Sequence, residues 1–257
     1  MADAMGERDD DGLEPLLAGA AALGLPLDAA QRAQFALLRD LLLDWNTRVN
    51  LTAITDPDEV VTRHFLDALT CALALPAERR ARPLRLLDVG SGAGFPGLPL
   101  AIVFPRWRVT LLEATGKKTR FQEAAIAALS LTNVRPLHAR AEDLAQTPAH
   151  RGRYDVVTAR AVASLPTLLE YCAPFTRVGG LVIAPKKGDL AEEIAAGRHA
   201  AALLGARLLA PIAVTLPALA EDSRALLVAR QQRPCPPLYP RPGGAPQKRP
   251  LGEQSGS

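Results

Sequence analysis

Leu86-Leu87-Asp88-Val89-Gly90-Ser91-Gly92-Ala93-Gly94-Phe95-Pro96-Gly97 decides how the rest of the chain is read. An apolar run ends in an acid and opens into a glycine-dense turn, which leads into a second apolar segment, Leu98 to Phe104. Glycine has no Cβ, so such a turn accepts positive φ and lets the backbone approach a bound molecule. Strand, glycine turn and helix together form the unit with which a doubly wound α/β domain holds an adenine-containing cofactor at the carboxyl ends of its strands. Glycines also gather in purely structural turns; the strand and helix patterns on either side favour binding here. The next strand reads Trp107-Arg108-Val109-Thr110-Leu111-Leu112 and ends at Glu113. An acid about 20 positions beyond the loop is where such folds bond the ribose hydroxyls.

Two patterns overlap in the loop. Gly92-Ala93-Gly94-Phe95-Pro96-Gly97 fits G-x-G-x-x-G, the dinucleotide fingerprint, and points to NAD. Asp88-x-Gly90-x-Gly92-x-Gly94, with the acid closing the strand, resembles the first motif of class I S-adenosylmethionine methyltransferases. A carboxylate suits the ammonium group of S-adenosylmethionine. Beside a pyrophosphate it would repel, at a helix start that should be free of negative charge. Electrostatics therefore favours S-adenosylmethionine.

Outward from the loop the chain alternates. Strands are expected at 84–89, 107–113, 134–139, 154–159 and 179–184, with helical segments between them, the clearest from Lys117 to Leu129. This rhythm implies a mostly parallel sheet with helices on both faces. A helix over 189–204 precedes strand-like runs Ala206 to Leu216 and Arg224 to Arg230, which form an antiparallel hairpin. The expected fold is α/β and Rossmann-like, with seven strands. That count, closing on a hairpin, fits the methyltransferase sheet better than the six-stranded dinucleotide sheet.

Upstream, Leu13 to Leu23, Asp28 to Val49 and Asp56 to Leu75 read as an N-terminal helical extension, with Asp28 and Pro57 marking helix starts. Pro76 to Pro83 is a basic linker. The expected divisions are an acidic disordered tail over 1–12, the helical portion and linker over 13–82, a cofactor-binding core over 83–232 and a basic Pro/Gly-rich tail over 233–257. On composition alone that last tail reads as disordered.

The chain has 257 residues, 48% hydrophobic and 22% charged, enough for a sizeable core. Its net charge of +3 hides a split. Residues 1–14 carry six acids against one arginine, so the remaining body is basic and suits a polyanionic partner. Cys71, Cys172 and Cys235 have neither C-x-x-C spacing nor an even number, and the four histidines form no ligand spacing. Neither a metal site nor a disulfide framework is expected, and a reducing cytoplasm fits. No signal peptide is visible, and no apolar run approaches the ~20 residues that span a bilayer.

Several further motifs occur together. Trp45-Asn46, Asn50-Leu51-Thr52 and Arg63-His64-Phe65-Leu66-Asp67 lie in the N-terminal helices. Arg140-Ala141-Glu142-Asp143, Ala159-Arg160-Ala161, Pro185-Lys186-Lys187-Gly188, Tyr239-Pro240-Arg241 and Lys248-Arg249-Pro250-Leu251 follow the loop in order. With these the chain resembles the bacterial small-subunit ribosomal RNA guanine-N7 methyltransferases, the glucose-inhibited division B family, over roughly residues 30–250. The N-terminal signatures are the most specific, because generic S-adenosylmethionine enzymes lack them.

The resemblance implies methylation of a guanine N7 in a decoding-region loop of 16S rRNA, on naked RNA or the small subunit, by a monomer. It implies cofactor contacts at Gly90, Phe95, Ala141, Glu142 and Arg160. Asp88, Gly92 and Glu113 join them from the loop reading. Asn46, His64, Asp67 and Arg160 are candidates for shaping the site, and for His64 and Asp67 helical spacing equally allows a plain intrahelical contact. Lys117, Lys118, Lys186, Lys187, Arg241, Lys248 and Arg249 are candidates for RNA phosphates. No catalytic base is assigned: N7 is a free lone pair, so direct in-line displacement needs none, and catalysis rests on proximity and orientation. Two alternatives stay open, an NAD-dependent oxidoreductase and a non-catalytic protein that senses S-adenosylmethionine or a nucleotide.

Overall fold

A computed structural model describes residues 11–252 apart from 161, 162 and 222. The tail expected over 1–12 therefore lies almost wholly outside the described residues, as does Ala161 of the Ala159-Arg160-Ala161 motif. Strands β1 (Arg85–Val89), β2 (Arg108–Glu113), β3 (Val134–His138), β4 (Tyr154–Thr158) and β5 (Thr176–Lys187) pair in parallel, and β6 (Ala206–Leu208), β7 (Ile212–Val214) and β8 (Arg224–Gln231) add antiparallel pairs. The order is β3-β2-β1-β4-β5-β8-β6, with β7 also on β8. The chain leaves β1 towards β2 and β3 and returns to β4 on the other side of β1. That reversal opens a crevice at the carboxyl ends of β1 and β4.

Eight strands replace the seven expected. The run from Ala206 to Leu216 breaks at Ala210-Pro211. Leu208 pairs with Ala229 and Ile212 with Leu226, so one extra residue bulges between them. Pro211 has no N–H to give the ladder, which is why the break falls there.

Alternate side chains of the sheet supply two cores. Leu86, Leu111, Val156, Ile183 and Val228 face the N-terminal helices and helix Gly97–Val103. Leu87, Leu112, Val157, Val182 and Leu227 face helices Leu165–Cys172 and Ala191–Leu203. In the first layer, helix Ala29–Asn46 starts on a capping box between Asp28 and Gln31 and buries Phe35, Leu38 and Leu42. Asp56 caps the next helical run, accepting from the N–H groups of Asp58 and Glu59. That run changes pitch: an α-turn at Pro57–Glu59, a π-helix over Val60–Leu66, an α-turn at Asp67–Leu69 and a 3₁₀ turn over Thr70–Ala74.

The C-terminal segment, compositionally a disordered tail, is a strap across the second layer. Arg151 donates to the carbonyls of Ala145, Cys235, Pro236 and Tyr239. Arg241 forks onto Glu170, whose side chain has no exposure to solvent. Thr167 donates to the Pro246 carbonyl, and Leu251 is buried in the second core. Fixed prolines and specific polar anchors hold what apolar content alone would not.

Candidate functional site

The glycine loop is braced from beneath. Asp88 ends β1 fully buried; its Oδ2 accepts the Gly97 N–H at 2.9 Å and its Oδ1 accepts the Thr158 hydroxyl at 3.2 Å. Burial pushes its pKa up to about 7, against the opposing pull of the Gly97 N–H. Both Asp88 oxygens are engaged within the scaffold, so the side chain ties β1 to the helix start and to β4 beneath the loop. Helix Gly116–Ala128 adds Gln122, whose amide donates to the Ser91 hydroxyl and the Gly92 carbonyl, each at 2.8 Å.

The glycines divide by task. A Cβ on Gly97 would lie 2.2 Å from Leu111, so this glycine lets helix and strand touch. Gly92, at φ +59°, would point a Cβ into open space. That space is a cavity of about 340 Å³ lined by Gly90, Ser91, Gly92, Phe95 and, from elsewhere, Thr52, His64, Lys118 and Arg160. Glu113 ends β2 next to it, its two oxygens accepting from the N–H groups of Gly92 (2.9 Å) and Thr115 (2.8 Å). Bare backbone, an aromatic face at Phe95 and a carboxylate at the strand end fit a nucleoside with an amino-acid arm. Ala141 and Glu142 open the short helix after β3, two strands from the loop and outside the cavity lining. Glu142 lies close enough to Tyr171 to add to the burial that holds that phenol above its ordinary pKa.

The far wall comes from the N-terminal helices. Asn46 fastens the turn after its helix: its Oδ1 accepts from the N–H groups of Leu51 and Thr52, and its amide donates to the Thr52 carbonyl. The π-helical turn carries Arg63 and His64 to the end of β4. There Arg160 donates to the Arg63 carbonyl (3.0 Å), Asp67 Oδ2 (2.9 Å) and His64 Nδ1 (3.0 Å). Asp67 also holds Arg224 from β8 through its other oxygen. His64 stacks on Phe95 at 4.8 Å and 6°, and Arg160 lies over the same ring at 5.5 Å.

Hydrogen-bond logic fixes the protons. A guanidinium only donates, so His64 Nδ1 must accept and the ring carries its proton on Nε2. Nε2 therefore donates to the Thr52 hydroxyl at 2.8 Å. The Ile54 N–H donates to the same oxygen at 3.1 Å. With both lone pairs used, the Thr52 hydroxyl proton is left for the cavity that Thr52 lines. Burial first, then the charge of Arg160, holds the His64 pKa down at about 3, so the ring is neutral. Thr52 and Gln122 were missed as site residues. Thr52 sits within a quoted signature, but only the fold shows where its hydroxyl points.

The basic candidates separate. Lys118 lines the cavity, and Lys117, Lys187, Lys248 and Arg249 are exposed. The Lys186 Nζ donates to Glu193 (2.6 Å) and to the Ala163 carbonyl (2.8 Å). The Arg241 fork is occupied by Glu170 and the Arg249 carbonyl. Among the described residues no cluster of three His, Cys, Asp or Glu could hold a metal, and no helix is long and apolar enough to cross a membrane.

Comparison with known proteins shows what the chain is similar to. The family model for rRNA small subunit methyltransferase G (GidB) matches residues 31–218. The ribosomal RNA small subunit methyltransferase G of Roseiflexus sp. strain RS-1 is 49% identical, over 93% of this chain and 100% of that protein. Its namesake from Dehalococcoides mccartyi strain CBDB1 is 46% identical over the same shares. Among solved structures, a putative sarcosine dimethylglycine methyltransferase from Galdieria sulphuraria superposes with a TM-score of 0.53 at 13% identity, covering 69% of this chain and 87% of that one. That likeness concerns the fold alone.

Proposed function

This chain belongs to the rRNA small subunit methyltransferase G (GidB) family, and from that premise we propose that it methylates N7 of a guanine in a decoding-region loop of 16S rRNA. It is an S-adenosylmethionine-dependent rRNA methyltransferase; the proposal concerns the atom, the nucleotide and the route. The observation that carries it is a convergence. His64, Asp67 and Thr52, which belong to the N-terminal signatures, meet Phe95 and Arg160 at the mouth of the glycine-loop cavity.

Gly90, Gly92, Phe95, Glu113, Ala141, Glu142 and Arg160 are the residues proposed to hold the cofactor. Bound there, S-adenosylmethionine supplies a methyl group as an electrophile on a sulfonium. The guanine N7 lone pair needs no proton removed before attack, and among the described residues the one histidine lining the cavity is neutral with Nδ1 engaged. Positive charge grows on the purine as the methyl arrives. Asp67 answers the charge of Arg160, and the neutral His64 adds none. The Thr52 hydroxyl proton is available to guanine O6, the acceptor beside N7 on the same base edge. Adenine presents an amino group there, a donor facing a donor. Guanine would thus be preferred through Thr52, with His64 fixing which way the hydroxyl donates.

The same reading has one chain acting alone on rRNA or the small subunit in the cytoplasm, with Lys117, Lys118, Lys187, Lys248 and Arg249 near phosphates. The test is transfer of labelled methyl from S-adenosylmethionine to small subunits lacking the modification, followed by digestion to nucleosides. Label in N7-methylguanosine is expected. Label in another nucleoside overturns the N7 assignment, and no transfer with cofactor binding intact overturns the reading as a whole.

A further inference from the structure

At the opposite end of the sheet from the glycine loop, three arginines share one face. Arg85 opens β1 directly opposite Arg108 of β2. Thr110, two residues along on the same face of β2, is opposite Arg135 of β3. Their side chains line a cavity of about 480 Å³ with Thr110, Asn133 and Tyr154. The Arg135 Nε donates to the Thr110 hydroxyl at 3.2 Å, and the Arg85 guanidinium lies over the Tyr154 ring at 5.2 Å. Both contacts aim the side chains without neutralising them.

Among the described residues no carboxylate lines this cavity. Asp155, next to Tyr154, has one oxygen on the Arg85 backbone N–H (2.8 Å) and the other on Arg177 Nε (2.7 Å). Among the described residues none of the three guanidiniums makes an ion pair. The field is felt nearby: after burial, Arg135 and Arg85 hold His150 below its ordinary pKa. Like charges directly opposite each other on neighbouring strands destabilise a sheet. Arg85 and Arg108 are such a pair, and with Arg135 beside them around one cavity they are a feature that an anionic ligand would explain and fold stability would not.

We propose that Arg85, Arg108 and Arg135 form a second contact for the substrate RNA, gripping its backbone phosphates away from the reacting base. The inference rests on the rRNA reading above. Planar guanidiniums match phosphate oxygens in pairs. A five-residue strand spans about 16 Å, so one folded RNA can fill the cleft and still reach this end.

The test compares the protein with a variant carrying Arg85→Gln, Arg108→Gln and Arg135→Gln. Binding to a small-subunit rRNA transcript is measured against salt, with S-adenosylmethionine affinity and Tm in parallel. Each phosphate contact contributes roughly 0.7–0.9 to the slope of log K against log salt, so a slope shallower by about 2 to 3 is expected. Affinity should fall about 10- to 100-fold near physiological salt, with cofactor affinity unchanged and Tm equal or higher. An unchanged slope overturns the site. So does a lowered Tm with weakened cofactor binding, which would make the arginines structural. Inorganic phosphate raising the Tm of the protein but not of the variant, with the RNA slope unchanged, would assign the cavity to a small free anion and also overturn the RNA contact. If the unaltered protein fails to bind rRNA, the rRNA reading itself falls, a result distinct from failure of the arginines.

Discussion

Two sets of arginines in this chain are handled in opposite ways. Arg160 and Arg224 are largely buried and meet on the two oxygens of Asp67, with Arg160 further held by a carbonyl and a histidine. Arg85, Arg108 and Arg135 are exposed, aligned by strand register, and face a cavity without a carboxylate. In the first set charge is consumed in fixing geometry. In the second it is kept available. A paired guanidinium positions; an unanswered one recruits.

The sharpest way to break this contrast is Asp67→Ala. Removing the shared carboxylate leaves two largely buried cations facing each other, which should cost about 3–5 kcal/mol. Urea unfolding reads it, and a loss under about 1 kcal/mol would mean that Arg160 and Arg224 are solvated much as the exposed set is. Thr52→Val comes next. It removes the hydroxyl proposed to read guanine O6 and should lower kcat/KM about 10- to 100-fold, at about 1.4 kcal/mol per decade. Narrowed discrimination between guanine- and adenine-bearing RNA should accompany it. Equal rates would show that Thr52 only steadies His64.

The last contrast is a slope in pH. His64 has its folded pKa lowered to about 3, so it contributes stability above the unfolded value of 6.5 that is lost as pH falls towards 3. Asp88 runs the other way: its folded pKa is raised to about 7, and its contribution, full below 3.8, is lost as pH rises through 7. Between about pH 4 and 6.5 the two oppose each other. In His64→Asn the Asp88 slope should stand alone, with stability declining from pH 4 to 7 in thermal melts. His150→Asn, beside the exposed arginines, should change the profile less, because His150 is less buried than His64.

Much of the architecture could be read from local pattern. The strand before the glycine loop, the acid ending the next strand, and the helix starts at Asp28 and Asp56 are short-range signals. They survive because each residue's role is set by its immediate neighbours. The extra strand escaped because Pro211 interrupts a run whose hydrophobicity continues across it. For the other side chains the partner comes from a different element of the fold, so strand or helix pattern alone does not show it. Glu193 reaches Lys186 from the next helix, and Arg241 finds Glu170 seventy-one positions back. Asp88 was correctly placed at the strand end, yet its burial follows from Thr158 and Gly97 closing over it. The arginine alignment needs strand register, which no single segment encodes.

The strap over the second layer has a consequence for how the protein is made. A ribosome delivers helix Leu165–Cys172 long before residue 241, and until Arg241 arrives Glu170 has no cation to answer it. A carboxylate closed into that position without its arginine would be an uncompensated buried charge, so this layer is expected to settle together with Arg241. A chain released early, short of residue 241, would keep that flank open to water and to proteases.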